Sequence, residues 1–284
     1  MTWFEDRAGL RDTVAVVTGG AGGIGEAISF DLAANGVRVA VIDIDAEAAD
    51  RLRTALGDAG VVHHGDARDP EQLAALFDEV DSRWERLDTL VNVVGGTFAS
   101  PFTETTPKGW DALLRTNLLH VLHACALAVP RMQAVGRGGS IVNITTIECH
   151  RSAPGFAVYA AAKAAVEQFA RTLAVEVAAD GIRVNNVAPD VTPTPNLERI
   201  GGAGSFADPL GAAISIPMGR TGDVTDVSGC VVFLASALSS YVTGSTLHPD
   251  GGTFASGGWF NWPGSGWSNN VPVPVLDLLR GLGS

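Results

Sequence analysis

Thr18-Gly19-Gly20-Ala21-Gly22-Gly23-Ile24-Gly25 is the stretch on which the fold turns. It follows a Val-rich run, Thr13–Thr18, and leads into an amphipathic segment, Ile24–Asn35. Glycine here allows a tight turn, and the missing side chains let backbone N–H groups reach a diphosphate. The positive end of the following helix favours the same anion. Strand, glycine turn and helix in that order read as a nucleotide-binding βα unit, a context that a glycine run alone lacks.

Outward from this unit the pattern repeats. Further Val- and Ile-rich runs lie at Arg38–Asp43, Val61–His64, Thr89–Val94, Ser140–Thr146, Arg183–Ala188 and Thr246–His248. Between them stand helical segments at Ala46–Leu56, Pro70–Arg86, Trp110–Ala134, Ala157–Ala179 and Val224–Ala235. Several of the short runs are apolar on both faces, as strands covered by two helix layers are. The alternation predicts an α/β fold, a Rossmann-type doubly wound parallel sheet of about seven strands with helices on both faces. No repeat or linker interrupts 1–284, so a single dinucleotide-binding and catalytic domain is expected. Two segments break the rhythm. Pro193–Pro217, rich in Pro and Gly after the sixth strand, is expected to form a lid over the substrate. The tail, about 253–284, carries Trp259, Phe260, Trp262 and Trp267, too many aromatics for a disordered segment. It is expected to pack on its own domain or on a neighbouring subunit.

The formal net charge of −12 argues against a nucleic-acid partner, whose phosphates it would repel. The apolar runs fall short of the ~20 residues of a membrane span, so none is expected. Met1 to Asp6 shows no secretory signal, and a cytoplasmic location follows as the expectation. Cys125, Cys149 and Cys230 lack CxxC spacing and predict a reducing compartment without a metal site. The low charged fraction, 18%, and the many apolar faces of Trp110–Ala134 and Ala157–Ala179 point to a homo-oligomer.

Four groups of residues are candidates for the chemistry. Asp43 ends the second strand, 18 residues after Gly25. A carboxylate there can accept from both adenosine ribose hydroxyls and repels a 2′-phosphate, which selects NAD over NADP. Arg38, at the far end of that strand, is too distant to welcome such a phosphate. Asp66, after the third strand, is a further candidate for bounding the adenine. Tyr159-Ala160-Ala161-Ala162-Lys163 places a phenol and an ammonium on one helix face. The cation is expected to bring the phenol's pKa down from ~10, making Tyr159 a general acid and base. Thr145 and Thr146 end the fifth strand, and alternation allows only one hydroxyl to face the crevice and hold a carbonyl oxygen.

Together and in this order, these residues resemble the short-chain dehydrogenase/reductase family over about residues 10–252. Its TGxxxGxG motif is met by Thr18, Gly19, Gly23 and Gly25, and its YxxxK pair by Tyr159 and Lys163. The family's catalytic hydroxyl lies 13 residues before the tyrosine, on Thr146, where Ser is usual. Asn117 matches the Asn that anchors a relay water. Asp66, Pro189, Pro217-Met218-Gly219-Arg220 and Asp250-Gly251-Gly252 are further marks. Departures fall at Asn92-Val93-Val94-Gly95, in place of NNAG, and at Pro189-Asp190, in place of Pro-Gly. Thr192 replaces an apolar residue, whereas Thr194 matches. The resemblance implies an oxidoreductase interconverting a secondary alcohol and a ketone, with Tyr159, Lys163, Thr146 and Asn117 catalytic. It implies a cofactor held by Gly19, Gly23, Ile24, Gly25, Asp43, Asp66, Asn92, Gly95, Tyr159, Lys163, Pro189, Thr192 and Thr194. It also implies a dimer or tetramer. The substrate is a small-molecule alcohol or ketone, with a bulky hydrophobic one as an option that the apolar tail suggests. Alternatives are a dihydrodiol dehydrogenase, a dinucleotide-binding protein without turnover, and an enoyl reductase. The last usually has a longer Tyr–Lys spacing.

Overall fold

The computed structural model describes residues 2–195, 197 and 208–282. After a short helix α1 (Trp3–Ala8), strand and helix alternate: β1 (Val14–Thr18), α2 (Gly23–Ala34), β2 (Arg38–Asp43), α3 (Ala46–Leu56), β3 (Gly60–His64), α4 (Pro70–Trp84) and β4 (Thr89–Asn92). Next come α5 (Pro107–Leu114), a π turn (Arg115–Leu119), α6 (His120–Val135), β5 (Gly139–Ile144), α7 (Ala157–Glu176) and β6 (Ile182–Val187). The chain continues through α8 (Pro209–Ser215), α9 (Val224–Ala235) and β7 (Thr246–Leu247). All seven strands pair in parallel, in the order β3-β2-β1-β4-β5-β6-β7.

The pleat explains the burial on both faces. Val14 and Val16 of β1 point into one layer with Ala40, Ile42, Leu90 and Ile141, against α4, α6 and α7. Ala15 and Val17 point into the other with Val39, Val41, Val91 and Val142, against α2, α3 and α9. Side-chain caps mark the helix starts: Asp69 accepts from Glu71 N and Gln72 N before Pro70 opens α4, and Asp223 closes a capping box with Asp226 ahead of α9. Strand order reverses between β1 and β4, and ligands of such sheets bind beyond the carboxyl ends at that point.

Three expectations need correction. The segment predicted as one helix, Trp110–Ala134, is broken by the π turn, because the Asn117 side chain donates to the Leu113 carbonyl oxygen at 2.9 Å. Pro107–Val135, taken as a whole, is the one helix among the described residues long and apolar enough to cross a membrane, although run lengths predict none. Its Val121, Ala124, Ala128 and Met132 instead lie in the core layer beneath the sheet. The fourth and fifth strands end two residues early, at Asn92 and Ile144. Of the lid, Pro209–Ser215 is helical, and residue 196 and residues 198–207 lie outside the described residues. The tail forms a helical turn, α10 (Thr253–Ser256), a hairpin of β8 (Phe260–Trp262) and β9 (Gly266–Ser268), and a helix α11 (Val273–Leu282). The hairpin rests on α8, yet Trp259 and Trp267 keep 47% and 48% of their surface exposed.

Candidate active site

The glycine turn is shaped by contacts that no side chain would allow. A Cβ on Gly25 would lie 1.9 Å from the Gly19 carbonyl oxygen. Gly19 and Gly23 take φ of 68° and 53°, and a Cβ on Gly23 would meet the Thr194 methyl at 3.1 Å. Gly22 precedes α2 without a side-chain cap, so the helix's first N–H groups are open to an anion. Asp43 ends β2 beside this turn: Oδ2 accepts from Ala21 N at 2.9 Å and Oδ1 from Asp45 N at 3.0 Å. Arg38 is exposed at the opposite end of the strand. The Asp66 carboxylate is bound by Arg68, at 2.8 Å (Oδ1) and 2.7 Å (Oδ2), which holds its pKa below the usual carboxylate range.

Beyond β4, Gly95 passes close to the Lys163 ammonium: a Cβ there would lie 3.2 Å from Nζ and 3.4 Å from Asn117 Oδ1. Asn117, fully buried, donates to the Gly96 carbonyl oxygen at 2.8 Å and accepts from Gly96 N at 3.2 Å, tying this loop to the π turn. Asn92 does not face the crevice. Its amide donates to Asn143 Oδ1 at 2.9 Å, Asn143 donates to Asn186 Oδ1 at 3.1 Å, and Asn186 donates to Thr246 Oγ1 at 3.3 Å, a row across four neighbouring strands. Asn92 Oδ1, at the start of the row, has no partner among the described residues.

The Thr146 hydroxyl lies near the Tyr159 phenol and favours its ionised form. Thr145, its neighbour, instead donates to buried Glu167 Oε1 at 2.9 Å, so the two hydroxyls point apart. Both threonines lie beyond the end of β5, and Thr146 caps the next helical turn by accepting from Glu148 N at 3.3 Å. Pro189 follows β6 and accepts from Ile147 N at 3.2 Å. Thr192 is buried and donates to the Asp190 carbonyl oxygen at 3.2 Å, and Thr194 accepts from Leu197 N at 3.2 Å.

The electrostatics of the pair differ from the expectation. Lys163 Nζ donates to the Ile144 carbonyl oxygen at 2.8 Å, and burial brings its pKa down to about 8. Tyr159 is pushed up to about 12, by burial first, with Glu148 and Cys149 adding to it and the Thr146 hydroxyl opposing. Desolvation sets both shifts, disfavouring the Tyr159 phenolate and the Lys163 ammonium alike. Sequence reasoning missed Glu167, Arg151 and His120. His120 is buried near Lys163, and burial lowers its pKa to about 3.

The Lys163 shift sets a stability trend. Between a folded pKa of about 8 and an ordinary value of 10.5, the unfolded chain holds the extra proton, so stability rises with pH in that window. Nucleotide-free protein is expected to gain about 1.4 kcal/mol per unit from pH 8 to 10 relative to Lys163→Met. Urea unfolding reads this difference, and parallel pH curves would exclude it.

A glycine turn open at a helix N-terminus, a carboxylate at the end of β2, and Tyr159, Thr146 and Lys163 beyond β4 and β5 make up the set of groups found in oxidoreductases that bind a nicotinamide dinucleotide. The family model described as Enoyl-(Acyl carrier protein) reductase matches residues 19–253. The 3-oxoacyl-[acyl-carrier-protein] reductase FabG of Haemophilus influenzae is 34% identical over 87% of this chain and 100% of its own. Two solved structures are similar at 28% identity, each covering 86% of this chain and 99% of its own: the Brucella melitensis 3-ketoacyl-(acyl-carrier-protein) reductase complexed with NADH, with a TM-score of 0.79, and ElxO with NADP bound, with a TM-score of 0.78. The chain belongs to the short-chain dehydrogenase/reductase family.

Proposed function

We propose that this protein is an NAD(H)-dependent dehydrogenase that interconverts a secondary alcohol and a ketone. The observation that carries the reading is the buried Lys163 ammonium, held by the Ile144 carbonyl oxygen beside Gly95, with Thr146 and Tyr159 near each other at the same carboxyl ends of β5 and β4. Bound nicotinamide supplies the hydride acceptor or donor. Thr146 orients the substrate oxygen. Tyr159 passes its hydroxyl proton to or from that oxygen, and Lys163 fixes the ribose and the phenol's electrostatics. Burial keeps the Tyr159 phenol protonated at neutral pH, so it carries the proton that the reducing direction consumes, but as a weaker acid than a free phenol. In the oxidising direction the positive charge of the bound oxidised ring favours phenolate. Asn117 holds the loop beside Lys163 and supports a proton path to solvent. A dimer or tetramer and a cytoplasmic location belong to the same reading. Leu119 and Val175, exposed on the two long helical segments, support self-association.

The choice of NAD rests on Asp43, which stands at the glycine turn with no basic side chain in the Gly19–Gly25 stretch. Wild-type kcat/KM is expected to favour NAD+ over NADP+ at least about tenfold, since a 2′-phosphate would meet that carboxylate. Asp43→Asn is expected to shrink the ratio toward one. Steady-state rates with both nucleotides and a panel of secondary alcohols test this, and a wild-type preference for NADP+ would reverse it. A panel without any turnover would favour a nucleotide-binding protein that performs no redox chemistry.

A further inference from the structure

Just past the carboxyl ends of β5 and β6 stand three charges that hydride transfer does not use. The Arg151 guanidinium donates to Glu148 Oε1 at 2.8 Å and to Asp190 Oδ1 at 3.1 Å. Glu148 lies two residues beyond Thr146 and donates its backbone N–H to the Thr146 hydroxyl. Asp190 follows Pro189, the acceptor for Ile147 N. The group is therefore tied to both chain segments that frame the reacting oxygen.

It is also incomplete. The Asp190 side chain is only 8% exposed, and its Oδ2 has no hydrogen-bond partner among the described residues. The Thr253 hydroxyl beside it donates instead to the Asp250 carbonyl oxygen at 2.7 Å. Burial raises the Asp190 carboxyl above its usual range, with Arg151 opposing. A buried acceptor without a donor costs roughly 1–3 kcal/mol, and a ligand O–H removes that cost. Two carboxylates against one guanidinium leave net negative charge, which disfavours an anionic group at this spot. A hydroxyl fits both demands, donating to a carboxylate oxygen while accepting from the guanidinium.

Resting on the reading of this site as an alcohol/ketone oxidoreductase, we propose that Glu148, Arg151 and Asp190 bind a second hydroxyl of the substrate. The substrate class is then a vicinal diol or polyol, not a mono-alcohol or a bulky hydrocarbon carbinol. A hydrocarbon at this wall would leave its buried polar atoms unpaired, which is the strongest form of discrimination a pocket has.

Matched rings test this: trans-cyclohexane-1,2-diol against cyclohexanol, oxidised by the full chain with NAD+ and with NADP+. Wild type is expected to favour the diol about tenfold or more in kcat/KM. Asp190→Ala, and the milder Glu148→Gln, are expected to cut the diol-to-monoalcohol ratio about tenfold, with thermal melts confirming that both variants fold. Equal wild-type rates on the two rings, or a ratio unchanged in both variants, would overturn the proposal and leave the oxidoreductase reading standing. Preference for 2-aminocyclohexanol over the diol would overturn it in favour of an ammonium site. If nucleotide binds but neither alcohol is oxidised, the oxidoreductase reading itself falls and takes this one with it.

Discussion

Replacing Tyr159 with Phe is expected to lower kcat about 1000-fold while nucleotide affinity stays within a few-fold of wild type. In the proposed mechanism the phenol oxygen exchanges a proton with the substrate, and general acid–base catalysis is worth about 10²–10⁴ in rate. Removing that oxygen leaves the rest of the frame in place. Thr146 keeps the Glu148 N–H, and Lys163 keeps the Ile144 carbonyl oxygen. Pre-steady-state hydride transfer with a responsive alcohol, alongside nucleotide titration by fluorescence, separates the two effects. A kcat within threefold of wild type would remove Tyr159 from the chemistry.

Gly25→Ala is expected to do comparable damage by another route. Its methyl would lie 1.9 Å from the Gly19 carbonyl oxygen and 2.9 Å from the Gly20 Cα, both backbone atoms of the same turn. No flexible side chain can yield there, so the turn itself must open. Overpacking of this kind costs about 3 kcal/mol or more. Opening the turn also misplaces the N–H groups meant for the diphosphate, and dinucleotide affinity is expected to fall about 100-fold, or 2.7 kcal/mol. Calorimetric titration of the folded variant reads this loss. Binding within threefold of wild type would mean that the turn does not cradle the phosphates.

Much of the frame is legible in the residue order, for a physical reason. A strand buried on both faces must be apolar at every position, and β1 is, from Val14 to Val17. The segments Ala46–Leu56 and Val224–Ala235 match the observed helices end to end, since caps at Asp45 and Asp223 fix where they start. What escapes the sequence is set by long-range contact. Nothing in the helix itself says that the Gly96 loop will hold the Asn117 amide at the π turn. Strand alternation cannot choose between Thr145 and Thr146, because both lie past the pleat, and Glu167 from α7 makes the choice. The Tyr159 shift has the opposite sign to the expectation, since helical spacing reveals nearness to Lys163 along α7 but not how the fold shields the phenol. Arg151 looks like an ordinary loop cation until β6 brings Asp190 against it.

The amide row from Asn92 to Thr246 has a direction. Each carboxamide offers its N–H₂ to the next strand toward β7, so the orientation of one settles that of the others. Turning Asn143 alone would set donor against donor toward Asn92 and acceptor against acceptor toward Asn186. The three therefore turn only together, and they extend that coupling to β7, a margin only two residues long. Just past it lies His248-Pro249-Asp250, where the Asp250 carbonyl oxygen accepts from the Thr253 hydroxyl. A brace that starts at the centre of the sheet thus steadies its far margin.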